Sequence, residues 1–216
     1  MSHRHDVEIV FLEKQSSNRQ WSFGEGNLVK FMAQNETRLP TRKLAWGITG
    51  AGDKMEETVE VMRAVKERDY HINVFVSKEG ETVLKWYKLF DTVSKSFDSF
   101  SVERGPNSPF ILGDLQTGQY DALIISPATA NSVAKIVNGI ADTLLTNAVA
   151  QTAKTETPIY IYPVDDKKGE IKTKVPSGHE LKLKMRNIDL ENTKKLKKME
   201  NIQVLKSPEE LKEFFK

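Results

Sequence analysis

Two short segments of the chain combine small side chains with hydroxyl groups, a composition that lets the backbone approach a ligand closely. Residues 47–52 read Gly-Ile-Thr-Gly-Ala-Gly and follow a short apolar run. Free backbone N–H groups before a helix attract an anion, and the Thr49 hydroxyl can add one more hydrogen bond. We therefore expect this loop, with the Thr49 hydroxyl, to hold a phosphate group. The alternative is a tight turn without a ligand, because the segment matches neither the Walker A pattern nor a complete G-x-G-x-x-G motif.

The second segment, residues 126–132, reads Ser-Pro-Ala-Thr-Ala-Asn-Ser and follows a strongly apolar run. Its tiny side chains, hydroxyls and single carboxamide suit a flat aromatic ring that lies against backbone. Backbone N–H groups and the Asn131 carboxamide are the candidate contacts for the polar edges of such a ring. The alternative is a helix cap followed by an ordinary packing helix. Ser77 ends another apolar run, and its hydroxyl could face the same anion as Thr49.

Apolar runs of strand length alternate with helical patterns from residue 43 onwards, and these elements must position the two segments. Near-continuous apolar strands separated by helices predict a parallel sheet that is buried on both faces. The expected fold class is therefore α/β, with a Rossmann-like doubly wound sheet in a three-layer α/β/α arrangement. In such folds ligands lie beyond the carboxyl ends of the strands. This rule selects residues 49–52, 77–78, 126–131 and 163–166.

The chain divides into an N-terminal extension, residues 1–42, and one domain, residues 43–216, with a basic C-terminal third. Asp53 is the expected cap of the helix that follows the first loop, with Glu56 completing a capping box. Residues 91–113 show no clear pattern of secondary structure. A polar loop and a charged helix are expected in the C-terminal third.

The absence of cysteine limits the chemistry that the chain can perform. The chain has no cysteine, which excludes disulfides, thiolate nucleophiles and Cys-ligated zinc or iron–sulfur clusters, so redox chemistry requires a bound organic cofactor. No metal site is predicted. There is no run of 18 apolar residues, so we expect no membrane span. The absence of cysteine favours a cytoplasmic protein.

The C-terminal third is basic, since residues 167–216 contain 14 Lys or Arg against 8 Asp or Glu. This excess is typical either of a solvated surface or of a docking patch for an acidic partner or an anionic substrate. Nucleic acid is not an expected partner, because no aromatic residues alternate with the basic ones.

The Pro-Ala-Thr-Ala-Asn-Ser segment, with the Asn-Gly-Ile-Ala-Asp run at residues 138–142, resembles the signature of the homo-oligomeric flavin-containing cysteine decarboxylase superfamily. The resemblance implies a flavodoxin-like fold, non-covalently bound FMN, and a homo-oligomer of trimers or multiples of trimers with sites between subunits. By resemblance, the phosphate contacts fall on Thr49, Gly50, Ala51 and Ser77, and the flavin-ring contacts on Thr129, Ala130, Asn131 and Ser132.

The chain departs from the decarboxylases at two places. Residues 107–114 contain no histidine, and no Pro-x-Met-Asn clamp follows Tyr162. Both features serve cysteine decarboxylation in the family, so that reaction is not expected here.

Residues 46–52, 188–192 and 196–200 instead resemble the archaeoflavoprotein and dihydromethanopterin reductase (acceptor) branch. This branch implies an FMN-dependent oxidoreductase that takes electrons from a ferredoxin-type donor and passes them to a small-molecule acceptor, in some members a pterin. The alternatives are a decarboxylase or prenyl-FMN synthase of the same superfamily, and a flavin-binding subunit without catalysis. The sequence does not identify catalytic residues.

Overall fold

The computed structural model describes residues 42–174 and 177–216, and its centre is a six-stranded sheet. All neighbouring strands in this sheet are parallel, and their order is β3-β2-β1-β4-β5-β8. The strands are β1 Arg42–Ile48, β2 Tyr70–Val76, β3 Ser99–Val102, β4 Ala122–Ala128, β5 Ile159–Pro163 and β8 Ile202–Val204. The predicted N-terminal extension lies outside the described residues except for Arg42.

Helices cover both faces of the sheet. They are α1 Met55–Lys66, α2 Lys78–Trp86, α3 Phe90–Ser96, α4 Leu112–Gln116, α5 Ala130–Val137, α6 Leu144–Thr152, α7 Asn187–Leu196 and α8 Leu211–Phe214, the last preceded by a 3-10 turn at Pro208–Glu210. The predicted flavodoxin-like, doubly wound three-layer fold is thereby confirmed.

The sheet separates two hydrophobic cores, because successive side chains of a strand point to opposite faces. On one face Leu44, Trp46 and Ile48 of β1 pack in a core with α1, α2 and α3. On the other face Ala45 lies in a core with α4, α5, α6 and α7. A Cβ atom at Gly47 would come within 2.8 Å of Leu145 on α6, so the small residues of β1 allow that helix to lie close to the sheet.

The order of the strands places a crevice at the carboxyl ends of β1 and β4. The chain moves from β1 outward to β2 and β3, then crosses to β4 on the other side of β1. This reversal is the topological switch point at which doubly wound sheets bind ligands. The four stretches selected from the sequence lie at this edge of the sheet, as predicted.

The structure corrects three local expectations. Residues 91–113 contain most of α3, all of β3 and the start of α4. The polar stretch of the C-terminal third forms an antiparallel hairpin of β6 Glu170–Lys174 and β7 Glu180–Lys184. Asp53 does not cap α1: Lys54 occupies the cap position at a φ of 59° and makes no side-chain capping hydrogen bond. In the part of the chain that the structure describes, no helix has the length and apolar character to cross a membrane.

Candidate functional site

The loop after β1 presents backbone donors that have no partner. Within residues 42–174 and 177–216, the N–H groups of Gly50, Ala51 and Gly52 donate to no acceptor. A Cβ at Gly50 would come 2.7 Å from Glu79 Cβ, and one at Gly52 would come 2.6 Å from Tyr87 Oη. The bare glycines therefore let neighbouring elements close around successive free N–H groups. Such an array, followed by the uncapped start of α1, suits a phosphate group.

Thr49 connects this loop to the loop after β4. Its side chain is buried, and its hydroxyl donates to the carbonyl oxygen of Pro127 at 2.7 Å. The Thr49 hydroxyl oxygen in turn accepts a hydrogen bond from the backbone N–H of Thr129 at 3.0 Å. The hydroxyl proton is thus directed at Pro127, whereas the sequence interpretation directed it at phosphate. A contact between this hydroxyl and phosphate stays a prediction.

Ser77 lies beside the same loop, because its N–H donates to the carbonyl oxygen of Ile48 at 2.9 Å. Its Oγ accepts from the Gly80 N–H at 3.0 Å and caps α2. The hydroxyl proton has no acceptor among the described residues. Ser77 can therefore cap the helix and donate to an anion at the same time.

Glu103, at the end of β3, was missed from the sequence. This buried carboxylate accepts hydrogen bonds from the N–H of Leu144 at 2.9 Å and of Lys78 at 3.4 Å. It follows a strand that was itself not recognised, so no sequence signal marked it. Because Glu103 already accepts from the Lys78 N–H, the donors left for an anion at this edge are the N–H groups of residues 50–52 and the Ser77 hydroxyl.

The loop after β4 has a different character. Thr129 caps α5, since its Oγ1 accepts from the Ser132 N–H at 3.1 Å, and the two hydroxyl oxygens lie 3.0 Å apart. The Asn131 side chain is exposed, and its carboxamide makes no hydrogen bond with the described part of the chain. Asn131 therefore has both donors and an acceptor available for the edge of a flat ring.

Asp165 closes the far side of this loop. Its Oδ2 accepts from the N–H of Ala130, the first residue of α5, at 3.3 Å. Burial raises the pKa of this carboxyl, and Asp189 and Asp53 raise it further, against the opposing effects of the Ala130 N–H and Arg186. The sequence selected the end of β5 as a ligand edge, but it did not indicate that Asp165 reaches α5.

A second carboxyl at this edge, that of Asp53, also has a raised pKa, chiefly because it is partly buried. Burial likewise raises the pKa of the Tyr162 hydroxyl at the end of β5. No group of three or more Asp, Glu or His side chains in the described ranges is arranged to hold a metal ion. Asp53, Tyr162 and Asp165 are therefore groups at this edge that bind a proton more readily than they would in solvent.

The predicted site residues are brought together by the fold. Thr49 and Thr129 are hydrogen-bonded, Gly50 lies against the start of α2, and Ser77 contacts the end of β1. The result is a cradle of free N–H groups for phosphate next to a loop of small residues with one free carboxamide. A mononucleotide with a flat aromatic ring, such as FMN, fits this arrangement.

Comparison with known proteins agrees with that chemistry. The model of the family described as Flavoprotein matches residues 32–214. An uncharacterised protein of Methanocaldococcus jannaschii is 48% identical over 78% of this chain and 91% of its own length. The dihydromethanopterin reductase (acceptor) of the same organism is 36% identical over 80% of this chain and 95% of its own length.

Among solved structures, Burkholderia xenovorans DmrB in complex with FMN, described as a cubic protein cage for redox transfer, has a TM-score of 0.71 at 28% identity. The similarity covers 82% of this chain and 94% of that one. The predicted similarity to the dihydromethanopterin reductase (acceptor) branch is therefore confirmed, and with it the prediction of a flavin cofactor. The chain belongs to the flavoprotein family.

Proposed function

We propose that the protein is an FMN-dependent oxidoreductase that transfers electrons from a ferredoxin-type donor to a small-molecule acceptor such as a pterin. The observation that carries the proposal is the pair of loops at the switch point. Through its hydrogen bonds, Thr49 joins the N–H groups of residues 50–52 to residues 126–132, which we call the ring loop. The similarity to dihydromethanopterin reductases (acceptor) and to an FMN-bound redox protein supports it.

The chain's own residues divide the work of holding the cofactor. The N–H groups of residues 50–52 and the Ser77 hydroxyl bind the phosphate, and Thr129, Ala130, Asn131 and Ser132 border the ring. Bound FMN supplies the electron-transfer chemistry, while the protein sets its position and the electrostatic field around it. Thr49 fixes the distance between the two loops, so the phosphate site and the ring site keep a constant separation.

A lysine patch on β7 and α7 is the proposed docking surface for an acidic electron donor. All members of the patch are exposed, and none forms an ion pair with another described residue; they are Lys182, Lys184, Lys194, Lys195, Lys197 and Lys198. Such a cluster steers an acidic partner, and salt screens this attraction beyond roughly 8–10 Å at physiological ionic strength. Helix α7 packs against α5, which begins at the ring loop.

We further propose a homo-oligomer built from trimers, residues 1–42 as an extension outside the flavoprotein domain, and a cytoplasmic location. The cubic cage of the similar Burkholderia protein supports the assembly. Sedimentation of the purified protein tests it, and a monomeric holoprotein would contradict it.

The first test of the function is the absorption spectrum of the purified protein together with its FMN content. We expect a yellow protein that releases FMN and not FAD on denaturation. A colourless protein that takes up no added FMN would overturn the proposal.

The second test asks whether the lysine patch is the docking surface of the electron donor or only a solvated surface. Flavin reduction by reduced ferredoxin should slow as salt increases, whereas reduction by dithionite should change much less. The double variant Lys194→Glu/Lys197→Glu should behave at low salt as the wild type does at high salt. The matched control is Lys88→Glu/Lys95→Glu, which changes two exposed lysines near α3 on the opposite face of the sheet by the same charge. Equal ferredoxin rates for all three proteins at low ionic strength would exclude the patch as the docking surface.

A further inference from the structure

Asp165 connects the end of β5 to the start of the ring loop. The carboxylate accepts a hydrogen bond from the N–H of Ala130 at 3.3 Å, and Ala130 is one of the residues proposed to border the flavin ring. Asp165 is only partly exposed to solvent. Its charge is therefore one hydrogen bond away from the backbone that the ring is proposed to contact.

The charged groups around Asp165 do not neutralise it. From the start of α7 it faces Asp189 and Arg186, but this arginine already binds Asp189 through two hydrogen bonds of 2.7 and 2.8 Å. From the loop after β1 it faces Asp53, and from α5 the Ala130 N–H donates to it. Partial burial and two like charges thus disfavour the ionised form, so the carboxyl binds a proton more readily than an exposed aspartate.

Reduction of a flavin brings electrons, and therefore negative charge, to the ring. An additional negative charge beside a carboxylate makes proton binding by that carboxylate more favourable. The group that responds most strongly is one that is close to the ring, shielded from solvent and not paired with a cation. Asp165 is one hydrogen bond from the backbone proposed to border the ring, it is partly buried, and its carboxylate forms no ion pair with another described residue.

We propose that Asp165 takes up a proton from solvent when the bound flavin is reduced, and that it thereby sets how the midpoint potential of the flavin varies with pH. The proposal rests on the proposed function. Two electrons come from the donor, the flavin binds the protons of its own reduction from solvent, and one further solvent proton forms the O–H bond of the Asp165 carboxyl. Reoxidation by the acceptor releases that proton at the site, where an acceptor that is reduced by electrons and protons together can use it.

The test compares the FMN-loaded wild type with Asp165→Asn and with Asp166→Asn as the matched control one residue along the same loop. Midpoint potentials are measured by spectroelectrochemical titration across acidic to alkaline pH. For a two-electron couple, each additional proton steepens the decrease of potential by about 30 mV per pH unit, the value of a tenfold change in proton concentration. We expect the wild type and Asp166→Asn to show this additional slope between the carboxyl's pKa values in the oxidised and reduced protein, and Asp165→Asn to lack it.

A second measurement keeps the proposal testable if Asp165→Asn loses its FMN. Reduced-minus-oxidised infrared spectra of the wild type should contain the C=O band of a newly protonated carboxyl, and this band should shift when aspartate is labelled with carbon-13. Equal slopes in the wild type and Asp165→Asn, or no such band, would overturn the assignment. Failure of the wild type to bind FMN would instead refute the proposed function itself, and the two failures are distinguished by colour.

Discussion

Replacing Thr49 by valine tests whether this residue holds the site together or binds the cofactor directly. Valine has nearly the same shape but no hydroxyl. The change removes the 2.7 Å hydrogen bond to the Pro127 carbonyl and leaves the Thr129 N–H without the acceptor that it has at 3.0 Å. The Pro127 carbonyl retains only the Thr49 N–H at 3.2 Å.

The expected cost follows from these contacts. A lost neutral hydrogen bond costs about 1 kcal/mol, and a buried donor left unsatisfied costs about 1–3 kcal/mol. We expect Thr49→Val to lower the free energy of unfolding of the FMN-free protein by about 2–4 kcal/mol. With a urea m-value of roughly 2 kcal/mol/M, the midpoint of unfolding falls by about 1–2 M.

The control is Thr49→Ser, which keeps both hydrogen bonds and loses one buried methyl group, at about 1 kcal/mol or roughly 0.5 M urea. Circular dichroism follows unfolding of the FMN-free proteins at one concentration, and quenching of flavin fluorescence gives the FMN affinity. A valine variant at least as stable as the serine variant would refute the structural role of the hydroxyl. If that stable variant bound FMN more weakly by about 1–3 kcal/mol, the hydroxyl would act on phosphate, as the sequence pattern predicts.

Three further changes have defined outcomes. Gly50→Ala puts a Cβ 2.7 Å from Glu79 Cβ and 3.2 Å from the Glu79 backbone carbon, so it should cost about 1–3 kcal/mol in stability and weaken FMN binding. The control Gly105→Ala has open space around its new Cβ and should change neither property. Urea unfolding measures the stability, and FMN titration measures the binding. Asp165→Asn should raise the melting temperature at about pH 7 and have no such effect below about pH 3. The pKa of Asp165 is higher in the folded protein than in the unfolded chain. The protonated Asp165 carboxyl therefore favours folding at low pH, and this contribution is lost as pH rises through the folded-state pKa. Equal melting temperatures at neutral pH would contradict this sign. Finally, the protein should release no carbon dioxide from peptidyl-cysteine or phosphopantothenoyl-cysteine, because residues 107–114 contain no histidine, and release at an enzymatic rate would restore the decarboxylase alternative.

The sequence predicts those parts of the fold whose signal is local. The central residues of β1 and β4 are apolar and buried, because both faces of a central parallel strand are covered. A general rule then places the carboxyl ends of these strands at one edge of the sheet. The edge strand β3 is only half-buried and reads Ser-Phe-Ser-Val, so it resembles loop sequence. Composition did not indicate that Lys54 rather than Asp53 precedes α1 in a left-handed conformation.

The contacts inside the site could not be predicted for a different reason. The Thr49 hydroxyl meets a carbonyl oxygen 78 residues away, and Asp165 meets an N–H group 35 residues away. Residue types identify a side chain as a donor or an acceptor, but its partner is chosen by the crossing of strands in the sheet. The site residues were therefore found by their position at strand ends, whereas the roles of Thr49 and Asp165 required the structure.

Glu103 accepts hydrogen bonds from the first residues of α2 and α6, and these helices lie on opposite faces of the sheet. Movement of this one carboxylate exposes two amides that are 66 positions apart in sequence, Lys78 and Leu144. Exchange of these amides with deuterated solvent is then governed by a shared opening event, although no helix joins them. We therefore expect the starts of α2 and α6, one in each helical layer, to open together as one unit of local stability.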